Sequence, residues 1–170
     1  MEQLESTYLL HILSDRVEKI VTVAASFDWT WTDNDLPSLC EAQGWEVVRR
    51  TSDTALLRTD HMADRPEAYW SEWDLGGVRD VIMVVTDKVD TSDAQAAQEL
   101  LGEFDRLVNR FTAVLGSPRS AQWGPEPKVL WDRTNVVVRL FLLDGYINLY
   151  LVNPAYQEWL DTPEVFRTYD

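Results

Sequence analysis

The chain has 170 residues, 45% of them hydrophobic, and sets 29 acids against 15 lysines and arginines for a formal net charge of −14. That size and apolar content specify one domain over residues 1–170, with a core that needs no covalent staples. A single cysteine, Cys40, excludes an internal disulfide framework and fits a reducing compartment.

The acids are unevenly placed. Between Asp60 and Asp105 twelve acids stand against three bases, Arg65, Arg79 and Lys88. Such a field repels nucleic-acid phosphates and anionic lipid, so neither nucleic acid nor membrane is an expected partner, whereas a basic protein is. The plainer reading of the same charge is solubility. Glu2 and Glu5 stand where a signal peptide would carry bases, and no apolar stretch reaches the ~18 residues of a membrane span. The expected location is cytoplasmic.

In chain order, Tyr8–Leu13 reads as an arm or short first element. A helix is expected from Asp15 to about Ser26, with Asp15 and Glu18 as capping-box partners and Val17, Ile20, Val21 and Ala24 facing the core. Phe27-Asp28-Trp29-Thr30-Trp31-Thr32 alternates strictly and reads as a short strand or an extended linker. Thr32 and Asp35 open a short helix carrying Leu36, Leu39 and Cys40, which Gly44 ends. Strands are expected at Trp45–Arg50 and Ala55–Thr59, with a possible short strand near Tyr69–Asp74. Val81-Ile82-Met83-Val84-Val85, bracketed by Asp80 and Thr86, has the continuous β-branched character of a buried strand.

The longest amphipathic stretch runs from Ser92 to Leu115. Its apolar residues Leu100, Leu101, Phe104, Leu107, Val108, Phe111, Val114 and Leu115 form one wide helical stripe. Ser92 is the expected cap, with Gln95 reaching back, and Gly116 and Pro118 provide the stop. Ser117–Pro127 reads as a loop, and Lys128–Asp132 as a strand. Asn135–Leu143 and Tyr146–Asn153 flank Asp144-Gly145, a two-residue pair that favours a type I′ hairpin. That turn sets Leu143 opposite Tyr146. One face then carries Val136, Val138, Leu140, Leu142, Ile147, Leu149 and Leu151, the expected bed for the long helix. The other mixes Arg139, Phe141, Tyr146 and Tyr150. A short helix over Pro154–Leu160 closes the order. The expected fold is α+β, a mainly antiparallel twisted sheet of about six strands packed on one long helix, with short helices at both ends.

The sequence lacks the motifs of common catalytic sites: no H-E-x-x-H, C-x-x-C, G-x-S-x-G or phosphate-binding glycine loop occurs. Asp60, His61 and Asp64 lack a metal-ligand spacing, and Asp33-Asn34-Asp35 departs from a calcium loop at Leu36-Pro37. No catalytic residue, metal or cofactor is expected, and the chain is read as a non-enzyme. Glu72 and Asp74, between Trp70 and Trp73, have the composition of a sugar site, but two acids in one short loop do not set the separation that glycoside cleavage needs. Tryptophan is abundant, eight in all. Trp70, Trp73 and Trp123 fall in expected loops, where a large aromatic marks a contact surface. The expected partner-binding residues are therefore Trp70, Glu72, Trp73, Asp74, Asp87, Asp90 and Trp123.

The run Phe27–Thr32 leading to Asp35-Leu36-Pro37 and Gly44-Trp45, with the Leu115-Gly116-Ser117-Pro118 helix exit, Trp131 and the terminal hairpin, resembles a bacterial family of small acidic uncharacterised proteins. These are similar to the immunity proteins of polymorphic-toxin systems. That resemblance implies a cytoplasmic binding protein that neutralises a basic toxin domain. The element order is also similar to the type III secretion chaperone fold, which implies instead a module that holds an extended peptide on the mixed sheet face. The short helix at Asp33–Gln43 departs from that second pattern.

Overall fold

The computed structural model describes residues 2–60 and 65–167, with side chains from residue 14 onward. The order is α1 (Glu2–Ser26), α2 (Asp35–Gln43), β1 (Glu46–Arg50), β2 (Thr54–Arg58), β3 (Glu67–Glu72), β4 (Val78–Val84), α3 (Ala94–Leu115), β5 (Ser120–Gln122), β6 (Lys128–Asp132), β7 (Val137–Leu143), β8 (Tyr146–Val152) and α4 (Pro154–Asp161), then a 3₁₀ turn at Glu164–Phe166. The class is α+β, as the sequence implies, but the sheet has eight strands and the helical layer two long helices.

Every strand pairing is antiparallel, in the order β1-β2-β3-β4-β8-β7-β6-β5. Two four-stranded meanders, each following a long helix, thus meet at β4 and β8. The strand added to the expected set, β5, has three residues and pairs with the outer edge of β6. It carries no apolar alternation, so only its neighbour makes it a strand.

The terminal hairpin has the register that Asp144-Gly145 demands. Leu143 faces Tyr146 and Leu142 faces Ile147. Asp144 and Gly145 have φ of 55° and 81°, the positive pair of a type I′ turn. Val136, Val138, Leu140, Leu142, Ile147, Leu149 and Leu151 are all buried in the main core with Leu100, Phe104, Leu107 and Phe111 of α3. The bed and stripe expected from the sequence do meet. Trp131 joins them, its ring 5.5 Å from that of Phe111.

Three local expectations change. α1 starts at Glu2, not Asp15: no glycine or proline interrupts 2–26, and the Asp15 carboxylate accepts an ion pair from Arg110 of α3 at 2.5 Å instead of capping a helix. α3 is capped by Asp93, which accepts from the amides of Gln95 and Ala96, because a carboxylate answers the positive helix end better than the Ser92 hydroxyl. Ser92 turns back to Asp90. Phe27–Thr32 forms no strand. Its rings stack, Trp29 on Trp31 at 4.1 Å, and the buried Asp35 carboxylate accepts from the amides of Thr30 and Trp31 at 2.9 and 2.7 Å.

The two long helices share one face and are stitched by polar contacts. Glu103, buried within the α3 stripe, accepts from the Ser14 hydroxyl and from Arg106, and Arg110 reaches Glu18 at 2.8 Å. α4 lies on the other face, where Leu130, Val137 and Val152 form a second small core with Tyr156 packed against it. Among the described residues no helix is long and apolar enough to cross a membrane.

Candidate functional site

The seven expected contact residues separate into three places. Trp70 is fully buried on the helix-covered face, at 0% exposure, so it is removed from any contact surface. Alternation along β3 places it opposite Ala55 and Val81, and it fills the core between them. Glu72, Trp73 and Asp74 lie at the β3–β4 turn. Asp87, Asp90 and Trp123 lie at the opposite end of the sheet, about 20 Å away by the length of a seven-residue strand.

Of Glu72, Trp73 and Asp74, Asp74 alone is exposed; the other two are half-buried. Trp73 packs edge-on against Tyr156 and Trp159 of α4, at 5.2 and 6.1 Å. Arg50 bridges two carboxylates there, Asp33 at 2.9 Å and Glu72 at 3.3 Å. The contact with Glu72 holds Asp33 below its ordinary value, and the same contact, with some burial, raises Glu72. The acid partner of Glu72 is therefore Asp33, brought in from the α1–α2 linker.

The other end gathers three loops. Val89 donates its amide to the Gly145 carbonyl at 2.9 Å, which ties the β4–α3 loop to the hairpin turn. The Asp144 amide donates to Glu126 at 3.1 Å, which brings in the β5–β6 loop. Asp87, Asp90, Asp93, Glu126 and Asp144 are all exposed on this rim. Trp123, in the same β5–β6 loop as Glu126, is 60% exposed, and its ring centre lies 6.2 Å from that of Phe104, edge to face. Lys88, the base within the β4–α3 loop, turns away over the Tyr146 ring at 5.9 Å. Asp90 is held below its ordinary value by the Ser92 hydroxyl and amide. The signal for Asp144 and Glu126 lay in the hairpin turn and its partner loop, which sequence reading did not connect.

The sheet face that carries α4 is of a different character. A lateral row crosses all eight strands: Arg49, Leu56, Tyr69, Ile82, Tyr150, Arg139, Leu130 and Ser120. Tyr69 is 55% exposed, and Phe141, Tyr146 and Tyr150 are half-buried, so α4 covers only part of this face. Six of the chain's fifteen lysines and arginines lie over aromatic rings of β7, β8 and α4. Arg139 sits 4.6 Å from the Phe141 ring and 4.9 Å from that of Tyr150. Asp80, buried below them, is raised by burial against the pull of Arg79 and Arg139.

What these features define is an α+β domain with an acidic, tryptophan-bearing rim and a cation-over-aromatic sheet face. The model of the DUF6301 family, a family of unknown function, matches residues 15–153, and the chain belongs to that family. The match begins within α1 and ends just after β8, so it takes in the whole sheet. His61 and Asp64, two of the three residues weighed for a metal, lie outside the described residues. No curated protein and no solved structure matches the chain.

Proposed function

We propose that this chain is a non-enzymatic cytoplasmic protein-binding domain, an immunity-type protein that binds and neutralises a basic toxin domain through its acidic rim. The observation that carries the reading is the rim itself: three loops distant in sequence bring five exposed acids to the end of the sheet where Trp123 also lies exposed. An aromatic side chain with an exposed outer surface and a packed inner edge is pre-ordered for contact, and such residues dominate binding energy. The acids act at longer range and steer a basic partner in.

Surface-plasmon kinetics against the product of the neighbouring gene, at two salt concentrations, test the reading. Reversing Asp87, Asp90 and Asp144 together lowers the on-rate roughly tenfold or more and leaves the off-rate nearly unchanged. Trp123→Ala instead raises the off-rate, by roughly thirtyfold for an anchor of about 2 kcal/mol. Exposed charges are screened beyond about 8 Å at physiological salt, so an on-rate indifferent to salt and to charge reversal refutes the mechanism. A second reading, a secretion-chaperone-like module holding an extended peptide, is favoured by the open face around Tyr69 and by β1, an edge strand exposed along its length. Binding abolished by Tyr69→Asp with the rim variants silent supports it.

A further inference from the structure

Beyond either reading, the sheet face that carries α4 holds a cavity whose charge runs against that of the whole chain. It is lined by α4 and strands β5–β7 and has a volume of about 220 Å³, equivalent to about seven liquid waters. Register fixes what the sheet presents there. Ser120, Leu130 and Arg139 lie side by side across β5, β6 and β7, and Gln122, Lys128 and Phe141 form the next row on the same face. Arg119 and Asp161 join the lining, so three cations meet one carboxylate in a protein of net charge −14.

The three cations are not equally engaged. Arg119 holds Asp161 at 3.0 Å and Asp132 at 3.3 Å. The carboxylates close enough to act on Arg139 are Asp80 and Asp161, and Arg79 already pairs with Asp80 at 3.2 Å. Lys128 and Arg139 are left with no ion pair among the described residues. Of Arg139 only the Nε is enclosed; its two Nη nitrogens keep open surface, have no hydrogen-bond partner, and are the polar atoms it can offer the cavity. Lys128 stands diagonal to Arg139 across β6 and β7, within reach for two long side chains. Both heads lie over the Phe141 ring, the Lys128 Nζ at 5.4 Å and the Arg139 Cζ at 4.6 Å from its centre. The Ser120 hydroxyl and the Gln122 amide, on exposed β5, also lack partners among the described residues.

The lining thus supplies donors and positive charge, while its one carboxylate, Asp161, already accepts from Arg119 and Gln157. A phosphate group carries nearly two negative charges at neutral pH and three acceptor oxygens. It balances both unanswered cations and leaves an oxygen for Ser120 or Gln122, whereas a carboxylate brings one charge and two oxygens. A phosphate polymer would also meet the acids of the surrounding surface, so the charge of the chain favours a small ligand. We propose that this cavity binds a phosphate group, free or as a small monoester, on the Arg139 Nη nitrogens and Lys128, with Ser120 and Gln122 as further donors.

The test is a nuclear magnetic resonance titration of the full chain at neutral pH and constant ionic strength, reading the backbone amides of β5–β7. The probes are inorganic phosphate, phenyl phosphate and acetate, each taken to about 20 mM, within reach of millimolar affinity. Inorganic phosphate or phenyl phosphate shifts these amides saturably, and acetate binds about tenfold more weakly or less. Saturation by phenyl phosphate identifies the source as a monoester; saturation by inorganic phosphate alone identifies the free ion. Lys128→Gln, at an exposed position, weakens phosphate about threefold. Arg139→Lys keeps the charge but loses the planar fork, and weakens it about tenfold. Arg58→Gln removes an exposed charge from β2 and leaves binding unchanged. Circular dichroism reads whether each variant is folded, and Lys128→Gln keeps the test open if Arg139→Lys is not. The proposal is overturned if neither phosphate shifts these amides, if acetate binds as tightly, or if Lys128→Gln weakens binding no more than Arg58→Gln. The readout is a small anion and not a protein partner, so failure here and failure of the rim reading are distinguishable.

Discussion

Gly145→Ala tests how the acidic rim is held. Gly145 has φ of 81°, and a Cβ built on it falls 2.4 Å from the Val89 carbonyl oxygen, well inside any real contact. Gly44, at the end of α2, provides the control: its φ is 74°, and a Cβ there meets nothing within 4 Å. Gly44→Ala therefore costs only the left-handed strain of an L-residue, about 1–2 kcal/mol. Gly145→Ala carries that strain too, and it must also push the β4–α3 loop away. The loop's displacement breaks the 2.9 Å bond from the Val89 amide to the Gly145 carbonyl, a further loss of about 1 kcal/mol. The expected total is about 2–3 kcal/mol, roughly one more than for the control. Equilibrium urea denaturation of both variants measures the difference. Since the displaced loop carries Asp87 and Asp90, Gly145→Ala also lowers the on-rate for a basic partner, while Gly44→Ala does not. Equal destabilisation by the two substitutions refutes the claim that this close approach fixes the rim.

Phe104 is fully buried beneath the sheet, and Phe104→Ala is expected to cost about 3–5 kcal/mol in denaturant melts; a loss of less than about 1 kcal/mol contradicts its place in the core. For Asp80 the sign follows from burial. Its carboxyl is raised on folding, so its contribution is fullest below the ordinary carboxylate range and is lost as pH rises through the folded value. Asp80→Asn therefore gains on the parent chain as pH rises above the ordinary carboxylate range, and a gap that stays constant over that rise in urea melts rules the argument out. Burial also pushes the Cys40 thiol up, so a thiol-directed reagent labels it only as urea unfolds the chain. Complete labelling of the native protein within seconds places Cys40 at the surface instead.

Much of the fold was legible in local chemistry. The Asp144-Gly145 pair sets a type I′ turn because its two residues tolerate positive φ, and the turn in turn decides which side chains of β7 and β8 share a face. The 3.6-residue stripe from Leu100 to Leu115 then identifies what lies on that face. Gly44 ends α2 in the left-handed conformation expected of it. The site was less legible. Trp73 and Trp123 are both loop tryptophans, yet one packs on α4 and the other stands 60% exposed. Trp70 lies only three residues from Trp73 and is a core residue, because strand alternation turned it to the helix side.

Sequence by itself determined the features set by neighbours along the chain: class, turn, stripe, breakers and an acidic charge concentrated in one segment. Those depend on dihedral preference and on residue spacing, which are local. Only the tertiary structure decided which ends of strands lie together, and hence that Asp87, Asp90 and Trp123 share a rim with Asp144 and Glu126 while Glu72 and Asp74 lie at the far end. It alone made Ser120–Gln122 a strand, by offering it the edge of β6. It also gathered cations scattered from Arg65 to Arg167 over the rings of β7, β8 and α4, among them Arg139, which has no ion pair among the described residues. Pairing across a sheet brings together residues tens of positions apart, and no local preference along the chain encodes which of them will meet.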